Sequence, residues 1–268
     1  MIRRLDRNQG PTKFPKGVGM VVFLMFFLLS LSSATAAESA DGYSHLWGGY
    51  ATSLDNRSPE QRGNAGRAAM DLDGVIIAPG GMFSFNDHVG ARDTQKGYLP
   101  APMINDRGGL VDIPGGGICQ LATTIYNAAL EAGLEIVERH PHSRSVGYVS
   151  PGRDATILTW RKDLKLRNPH PFPLLLKLDV GGGRLTAGFW SVAAKSFQVQ
   201  IFSDINPLDP EAVVAASAMV SGEVGQQGGQ GFFVVTRRRI IRKGGVVDEI
   251  LSRDFYPPPS RIVGRAGS

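Results

Sequence analysis

The sequence predicts an α+β fold, in which a central helix with a cysteine at its N-terminus packs on a mainly antiparallel sheet and a β-rich C-terminal appendage follows. Two observations lead to this prediction. Apolar residues recur at helical spacing in two stretches of the first half. In the second half, apolar and polar residues alternate in short runs that are separated by glycine turns. The chain has 268 residues and one cysteine, so a hydrophobic core rather than a disulfide must hold the fold.

The N-terminal segment is predicted to be a leader. Basic residues up to Lys16 precede an apolar run over residues 18–31, and residues 34–36 (Ala-Thr-Ala) are typical of a cleavage site. The apolar run is shorter than the ~20 residues of a spanning helix. We therefore expect residues 1–36 to be a signal peptide, with an uncleaved anchor as the alternative. Either form predicts export to the periplasm or to the extracellular side and cell envelope, with membrane contact only through this segment if it stays uncleaved.

The charge balance argues against nucleic acid as a partner. The whole chain has 29 Lys and Arg against 24 Asp and Glu, but without the leader 24 basic residues face 23 acidic ones. The one basic cluster, residues 237–239, falls in a strand-like run, where a solvated face explains it. A nearly neutral mature chain gives no basic binding face.

The first predicted helix spans residues 58–73. Ser58 supplies the N-cap, Pro59 occupies the first helical position, and Gln61 completes a capping box. Gly74 follows the last apolar residue of the pattern and ends the helix.

Two short strands and a long loop are predicted next. Residues 75–77 and 82–85 are apolar runs about a Pro-Gly-Gly turn. Residues 86–112 are rich in Gly, Pro and Asp, so we expect a long surface loop or a loose hairpin there. Loops of this length in compact domains are often functional.

The best-formed helix of the pattern begins near Cys119. Gly133 ends it, and residues 134–137 are predicted to be a strand. The helical spacing is carried by Ile118, Ala122, Ile125, Ala129 and Ala132. Cys119 lies about 100° around the helix from Ile118, beside the apolar stripe, so it can point toward the preceding glycine run.

The rest of the chain is predicted to be mostly strand. Residues 163–190 alternate as strand, turn and strand, residues 192–231 are expected to be a linker region, and residues 232–268 a β-hairpin appendage. The hairpin strands are 232–241 and 246–255, joined at a Lys-Gly-Gly turn. We interpret the hairpin as an interaction module.

The placement of the only cysteine is the best clue to chemistry. Cys119 follows a glycine run at a helix start, where free N–H groups and the helix dipole stabilise a thiolate. Glycines also let a substrate approach the backbone, so Gly116, Gly117 and Gln120 are candidate ligand-binding residues. The opposing interpretation is that Cys119 is a buried structural residue.

A sulfur nucleophile needs a base and a group that orients the base. His142 and His140 are the candidate bases, because a strand returning beside the helix could bring either one near Cys119. Asp154 is the candidate orienting group, and Arg153 could bind a ligand carboxylate. The backbone amides of residues 118–120 are a candidate oxyanion site.

Two other uses of these residues stay open at the level of sequence. In a non-catalytic binding module, the glycine loop and Arg153 would hold a ligand while Cys119 only packs. A zinc site is the third interpretation, since cysteine and histidine are suitable ligands, but no Cys-x-x-Cys or His-Glu-x-x-His pattern is present, so no metal residues are assigned. No phosphate-loop or dinucleotide motif is present either, and no cofactor is expected.

Several unusual segments, in order, strongly resemble VanW-like proteins. They are residues 83–86 (FSFN), 97–98 (GY), 115–120 (GGGICQ), 123–128 (TTIYNA), 132–135 (AGLE), 139–143 (RHPHS), 148–149 (YV) and 152–156 (GRDAT). The similarity covers residues 50–191, and we place the VanW-like domain at residues 45–191. The family is named for a vancomycin B-type resistance cluster, which implies an exported bacterial cell-envelope role.

The order of cysteine, helix, strand and histidine also resembles NlpC/P60 and transglutaminase-like thiol enzymes, although their histidine usually opens a later strand. With Cys119 as the candidate nucleophile and the cell-envelope role that the VanW-like resemblance implies, our hypothesis is a thiol-dependent hydrolase or transpeptidase that acts on peptidoglycan peptides. The alternative is a module that binds peptidoglycan or another peptide.

Overall fold

The structure, a computed structural model, describes residues 42–104, 110–209, 212–214, 230–258 and 261–263. The predicted leader, residues 1–36, and most of the glycine-rich stretch before residue 231 lie outside the described residues. None of the helices in these ranges is long and apolar enough to span a membrane.

The described residues form three helices and fourteen strands. The helices are α1 (Pro59–Leu72), α2 (Phe85–Val89) and α3 (Ile118–Glu131). The strands are β1 (His45–Ser53), β2 (Ile76–Ile77), β3 (Met82–Ser84), β4 (Pro100–Ile104), β5 (Leu110–Pro114), β6 (Glu135–Glu138), β7 (Lys165–Arg167), β8 (Leu174–Gly181), β9 (Arg184–Ser191), β10 (Gln198–Leu208), β11 (Ala212–Val214), β12 (Gly231–Arg242), β13 (Gly245–Tyr256) and β14 (Arg261–Val263). The α+β fold with mainly antiparallel sheets is confirmed.

Helix α3 is the centre of the fold. It packs on β1 and β9 of an antiparallel sheet with strand order β1-β9-β8-β2. Twelve of its fourteen residues are buried, so the helix is enclosed on nearly every side rather than along one stripe. Gly48 of β1 permits this close packing, because a Cβ there would lie 2.3 Å from the backbone nitrogen of Ala132.

Both predicted helices are confirmed, because their signals are local. Ser58 accepts a hydrogen bond from the Gln61 amide, and the Gln61 side chain accepts one from the Ser58 amide, which is the expected capping box. Gly133, directly after α3, has the positive φ of 72° that a helix stop of this kind requires.

The strands around the predicted Pro-Gly-Gly turn join different sheets. β2 pairs with β8, whereas β3 pairs with β7 in a second antiparallel sheet of order β3-β7-β6. In the stretch expected to be a loop or loose hairpin, β4 and β5 do form a hairpin, and α2 precedes it. The five-residue helix α2 is too short to produce a periodic signal.

A third antiparallel sheet, of order β10-β12-β13, follows the domain core. The predicted hairpin is β12 and β13, but the predicted linker contains strand β10, which pairs with β12 along its whole length. The sheet packs on the C-terminal end of α3, where Arg238 Nη1 donates to the carbonyl of Leu134 over 2.7 Å. The hairpin is therefore joined to the core by buried contacts.

Candidate active site

Cys119 is the second residue of α3. Gly117 precedes the helix with a φ of 102°, so the backbone turns sharply into the helix and leaves the sulfur at its N-terminal end. The thiol is partly buried, and its Sγ lies 3.6 Å from the carbonyl oxygen of Ile157. No side chain caps this helix start, and the positive end of the helix dipole favours negative charge on the sulfur.

Polar residues on α3 hold the segment that carries Asp154. Thr123 accepts from the Ala155 amide over 2.9 Å and donates to the Ala155 carbonyl over 3.2 Å. Asn127 donates to the Arg153 carbonyl over 2.7 Å. These bonds give a role to two of the polar residues that α3 buries, which lie one turn apart. They fix the backbone on both sides of Asp154.

His142 reaches the same place from the loop after β6. The amide of Thr156 donates to the carbonyl of His140 over 2.8 Å, which lays the histidine segment beside the Asp154 segment. His142 Nδ1 then lies 2.6 Å from Asp154 Oδ2, and the His142 amide donates to the same oxygen over 2.7 Å. The ring also makes a side-chain hydrogen bond with Cys119. Since Nδ1 is bound to Asp154, Nε2 is the nitrogen left for the sulfur.

The other oxygen of Asp154 is held by residues far along the chain. Arg139 Nη2 donates to Oδ1 over 3.0 Å, and the Tyr256 hydroxyl donates to the same oxygen over 2.5 Å. Arg139 Nη1 also forms an ion pair with Asp254 at 2.6 Å, and both side chains are only 4% exposed. The carboxylate of Asp154 is therefore fixed by bonds to both of its oxygens.

The electrostatics favour a charged sulfur–imidazole pair. Burial raises the pKa of the Cys119 thiol, but the hydrogen bond and positive charge of His142 outweigh it, so the pKa lies below its ordinary value. Burial lowers the pKa of His142, but Asp154 and Cys119 raise it to about 9. Burial raises the pKa of Asp154, whereas His142 and Arg139 bring it down to about 2. The lowered pKa of the thiol, the raised pKa of the imidazole and the lowered pKa of the carboxyl group together favour thiolate, imidazolium and carboxylate side by side.

A cleft of about 860 Å³ opens over this group of residues. Cys119 and His142 lie on its wall together with Gly117, Arg57, Arg144 and Tyr148. Residues beyond the core also contribute, since Phe232 and Pro257 line it. The cleft is large enough for several residues of an extended peptide.

The structure brings together three of the four predicted catalytic residues. Cys119, His142 and Asp154 form a linear series, whereas His140 points elsewhere and its Nε2 lies 3.0 Å from Glu138 Oε1. His140 is not among the residues that line the cleft. Pro141 lies between the two histidines. Their side chains point in different directions, and only that of His142 faces the sulfur.

The predicted ligand-binding residues separate into two groups. Gly117 lines the cleft, but Gly116 is buried against β4, where a Cβ would lie 2.2 Å from the carbonyl oxygen of Ala101. Arg153 does not line the cleft, because its Nε donates to Asn127 Oδ1 over 2.6 Å and its guanidinium lies over Tyr50.

Gln120 reaches the cleft wall but is only 2% exposed. Its Nε2 donates to the Ser53 carbonyl over 2.7 Å, and its Oε1 accepts from Arg57 Nε over 2.7 Å. The amide of Gln120 therefore positions an arginine of the cleft rather than offering both its polar atoms to a ligand.

Two of the three predicted oxyanion donors already donate hydrogen bonds within the protein. The Ile118 amide donates to Gly115 over 3.3 Å and the Gln120 amide to Gly117 over 3.1 Å. The Cys119 amide has no hydrogen-bond partner among the described residues. It is the available donor for a developing oxyanion.

Sequence reasoning missed the residues that hold Asp154 and those that add charge to the cleft. Arg139 directly precedes the His-Pro-His segment, which is a local signal, but its burial could not be read from the sequence. Tyr256 and Asp254 are about a hundred residues away from Asp154, so no spacing rule connects them.

Within the described ranges, no group of three or more His, Cys, Asp or Glu side chains is arranged to hold a metal ion.

Comparison with known proteins identifies relatives of this region. Residues 60–190 match the model of a protein family described as VanW like protein. The "Uncharacterized protein YoaR" of Bacillus subtilis is 39% identical over 144 residues, which are 54% of this chain and 47% of that protein. The "Vancomycin B-type resistance protein VanW" of Enterococcus faecalis is 34% identical over 107 residues, which are 38% of each chain.

The chain thus spans about half or less of the length of these curated relatives. No solved structure matches it.

Proposed function

Because the chain belongs to the VanW-like family through residues 60–190, we propose that it is an exported cell-envelope enzyme that cleaves or transfers peptide bonds of peptidoglycan. Cys119 is the nucleophile, His142 the general base and acid, and Asp154 the residue that orients the histidine. Hydrolase and transpeptidase reactions share the first half of this chemistry and differ only in whether water or an amine accepts the acyl group.

The position of His142 between Cys119 and Asp154 is the observation that supports the proposal. The imidazole bonds the sulfur on one side and a carboxylate on the other, 2.6 Å from Nδ1. A nucleophile, a base and an orienting group in series, beside a cleft, are the arrangement that acyl transfer needs. A structural cysteine has no need of a buried imidazolium.

The reaction begins with the thiolate of Cys119. Its sulfur adds to the peptide carbonyl carbon, and the C=O electron pair moves to the oxygen, which accepts a hydrogen bond from the Cys119 amide. When the intermediate collapses, the leaving amine takes a proton from the His142 imidazolium and a thioester remains. Neutral His142 then removes a proton from water or an acceptor amine, which attacks the thioester and releases Cys119.

Peptidoglycan is proposed as the substrate on three grounds. The leader predicted at residues 1–36 would deliver the protein outside the cytoplasm, where peptidoglycan is found. A relative from Enterococcus faecalis carries the name of a vancomycin B-type resistance protein. The cleft volume of about 860 Å³ suits a peptide of several residues.

The test is turnover of peptidoglycan fragments. The purified protein is incubated with muropeptides from digested bacterial cell walls, and products and enzyme are analysed by mass spectrometry. We expect cleaved or newly joined peptides and, after acid quenching, an acyl adduct on Cys119. Cys119→Ser should abolish both while its thermal midpoint stays unchanged. Turnover that persists in Cys119→Ser contradicts the proposal, and the absence of turnover and adduct in the wild type indicates a binding module.

A further inference from the structure

The cleft beside Cys119 carries positive charge from arginine side chains that have no role in the reaction described above. We infer that Arg57 and Arg144 form a carboxylate-binding subsite, so that the protein selects anionic peptides. This inference rests on the proposed function, because it concerns the substrate of the same cleft. It assigns the role that the sequence suggested for Arg153 to two other arginines.

The described wall of the cleft is cationic. Its described lining includes the guanidinium groups of Arg57 and Arg144 and the imidazole of His142, but no Asp or Glu side chain. Asp154, the nearest carboxylate of the triad, is 1% exposed and already accepts bonds at both oxygens. An anion that enters the cleft therefore finds positive charge and no exposed carboxylate on the described wall.

Arg57 is held in a fixed direction. Its Nε donates to Gln120 Oε1 over 2.7 Å, and its guanidinium lies 4.8 Å from the centre of the Tyr148 ring. The buried Gln120 is itself fixed by bonds to Thr52 and Ser53. Neither Nη of Arg57 has a partner among the described residues, so the outer end of its guanidinium is available for a carboxylate.

Arg144 supplies the second charge. It lies two residues after His142, is half-buried in the cleft wall, and has no hydrogen bond or ion pair with the described part of the chain. The buried Arg139, by contrast, is paired with two aspartates. A partly desolvated guanidinium without an acidic partner is stabilised when a ligand carboxylate enters.

Two alkylating reagents of the same chemistry but different charge test the subsite. Iodoacetate is an anion and iodoacetamide is neutral, so the rate of iodoacetate divided by the rate of iodoacetamide at Cys119 measures the preference for an anion. The same rate ratio, measured with N-acetylcysteine amide, is the reference. We expect the wild-type ratio to exceed the reference and to decline as NaCl is raised, because salt screens the attraction.

The variants make the test specific, because the imidazolium of His142 also attracts an anion. Arg57→Gln and Arg144→Gln should each lower the ratio by about threefold to tenfold while iodoacetamide still labels the thiol. Arg184→Gln removes an equal charge from β9, outside the cleft, and should leave the ratio unchanged. An equal effect of all three variants, or none from Arg57→Gln and Arg144→Gln, overturns the inference.

The same assay separates failure of the subsite from failure of the proposed function. A wild-type thiol that iodoacetamide labels no faster than the reference at pH 6 contradicts a catalytic thiolate. Fast iodoacetamide labelling with a charge ratio equal to the reference contradicts only the subsite.

Protection by peptides shows where the carboxylate lies in a ligand. Acetyl-Ala-Ala-Ala with a free C-terminus, the same peptide as its amide, and acetyl-Ala-Glu-Ala amide are compared as inhibitors of iodoacetamide labelling. Protection by the free acid supports a C-terminal carboxylate, and protection by the glutamyl peptide supports a side-chain carboxylate. Equal protection by the neutral amide, or no protection by any of the three, counts against the subsite.

Discussion

The charge on Cys119 depends mainly on one neighbouring side chain, that of His142. The helix N-terminus contributes, but burial opposes ionisation, and the hydrogen bond and charge of His142 reverse that effect. Since the pKa of His142 is raised to about 9, the imidazolium persists through neutral pH. The ion pair should therefore exist from the lowered pKa of the thiol up to about pH 9, and disappear above it as the histidine loses its proton.

Replacement of His142 should return the sulfur to ordinary behaviour. In the wild type, the midpoint of iodoacetamide labelling against pH should lie well below the ~8.5 of a free thiol. His142→Ala removes the cation but keeps the burial, so we expect the midpoint to rise by at least about one unit.

His140→Ala is the matched control, because His140 pairs with Glu138 and does not line the cleft. Its labelling midpoint should equal that of the wild type. If the two alanine variants shift the midpoint equally, or if neither shifts it, the assignment of His142 is wrong.

At the scale of elements, the start of α3 depends on close backbone packing. Gly117 has a φ of 102°, and a Cβ there would lie 2.5 Å from the carbonyl oxygen of Gln61 in α1. Two helix starts thus meet at a position where a side chain has no room. The glycine at this position is therefore required for the packing of α3 on α1, and not only for the approach of a ligand.

Gly117→Ala should therefore lower the free energy of unfolding by about 2–5 kcal/mol, from left-handed backbone strain and the clash with Gln61. Gly63→Ala is the control in α1: its new Cβ would have no neighbour within 4 Å, and alanine should stabilise the helix by about 0.5–1 kcal/mol. Urea unfolding at neutral pH measures both. A loss for Gly117→Ala as small as 0.5 kcal/mol, about the level of an uncrowded site, would contradict the packing argument.

The elements that the sequence predicted well are those with local signals. The capping box of α1, the glycine after α3 and the hairpin turn at residues 243–245 each act within a few residues. Helix α2 and strand β10 could not be predicted in the same way. Strand β10 exists because β12 pairs with it across more than twenty intervening residues, and such pairings leave no short-range pattern.

At the scale of the whole molecule, the site extends beyond the region that matches the family. Asp154 lies within residues 60–190, but Tyr256, which donates to it, lies near the end of β13. Tyr256 also accepts a hydrogen bond from the Gly152 amide over 2.9 Å. The candidate triad could be proposed from one stretch of sequence, whereas the residues that fix it become neighbours only when the hairpin packs on the core.

Tyr256→Phe tests this contribution of the hairpin. It removes a donor to Asp154 and leaves the buried Gly152 amide without an acceptor, so we expect a loss of about 1–3 kcal/mol in the free energy of unfolding. Tyr98→Phe is the matched control, since the Tyr98 hydroxyl is buried without a partner among the described residues. Removal of the Tyr98 hydroxyl should leave the free energy of unfolding unchanged or slightly higher. Equal urea midpoints for the two variants would contradict a structural role of the Tyr256 hydroxyl.

The distant contacts of Arg139 and Asp154 also set an order of events during synthesis. Cys119, His142 and Asp154 leave the ribosome more than ninety residues before Asp254 and Tyr256. Until β13 docks, Arg139 lacks one aspartate and Asp154 lacks its tyrosine. A partly made chain therefore carries a poorly ordered triad, and we expect its sulfur to behave as an ordinary thiol. Reactivity at the sulfur is then expected only once β13 has packed on the core, well after Cys119 itself has been made.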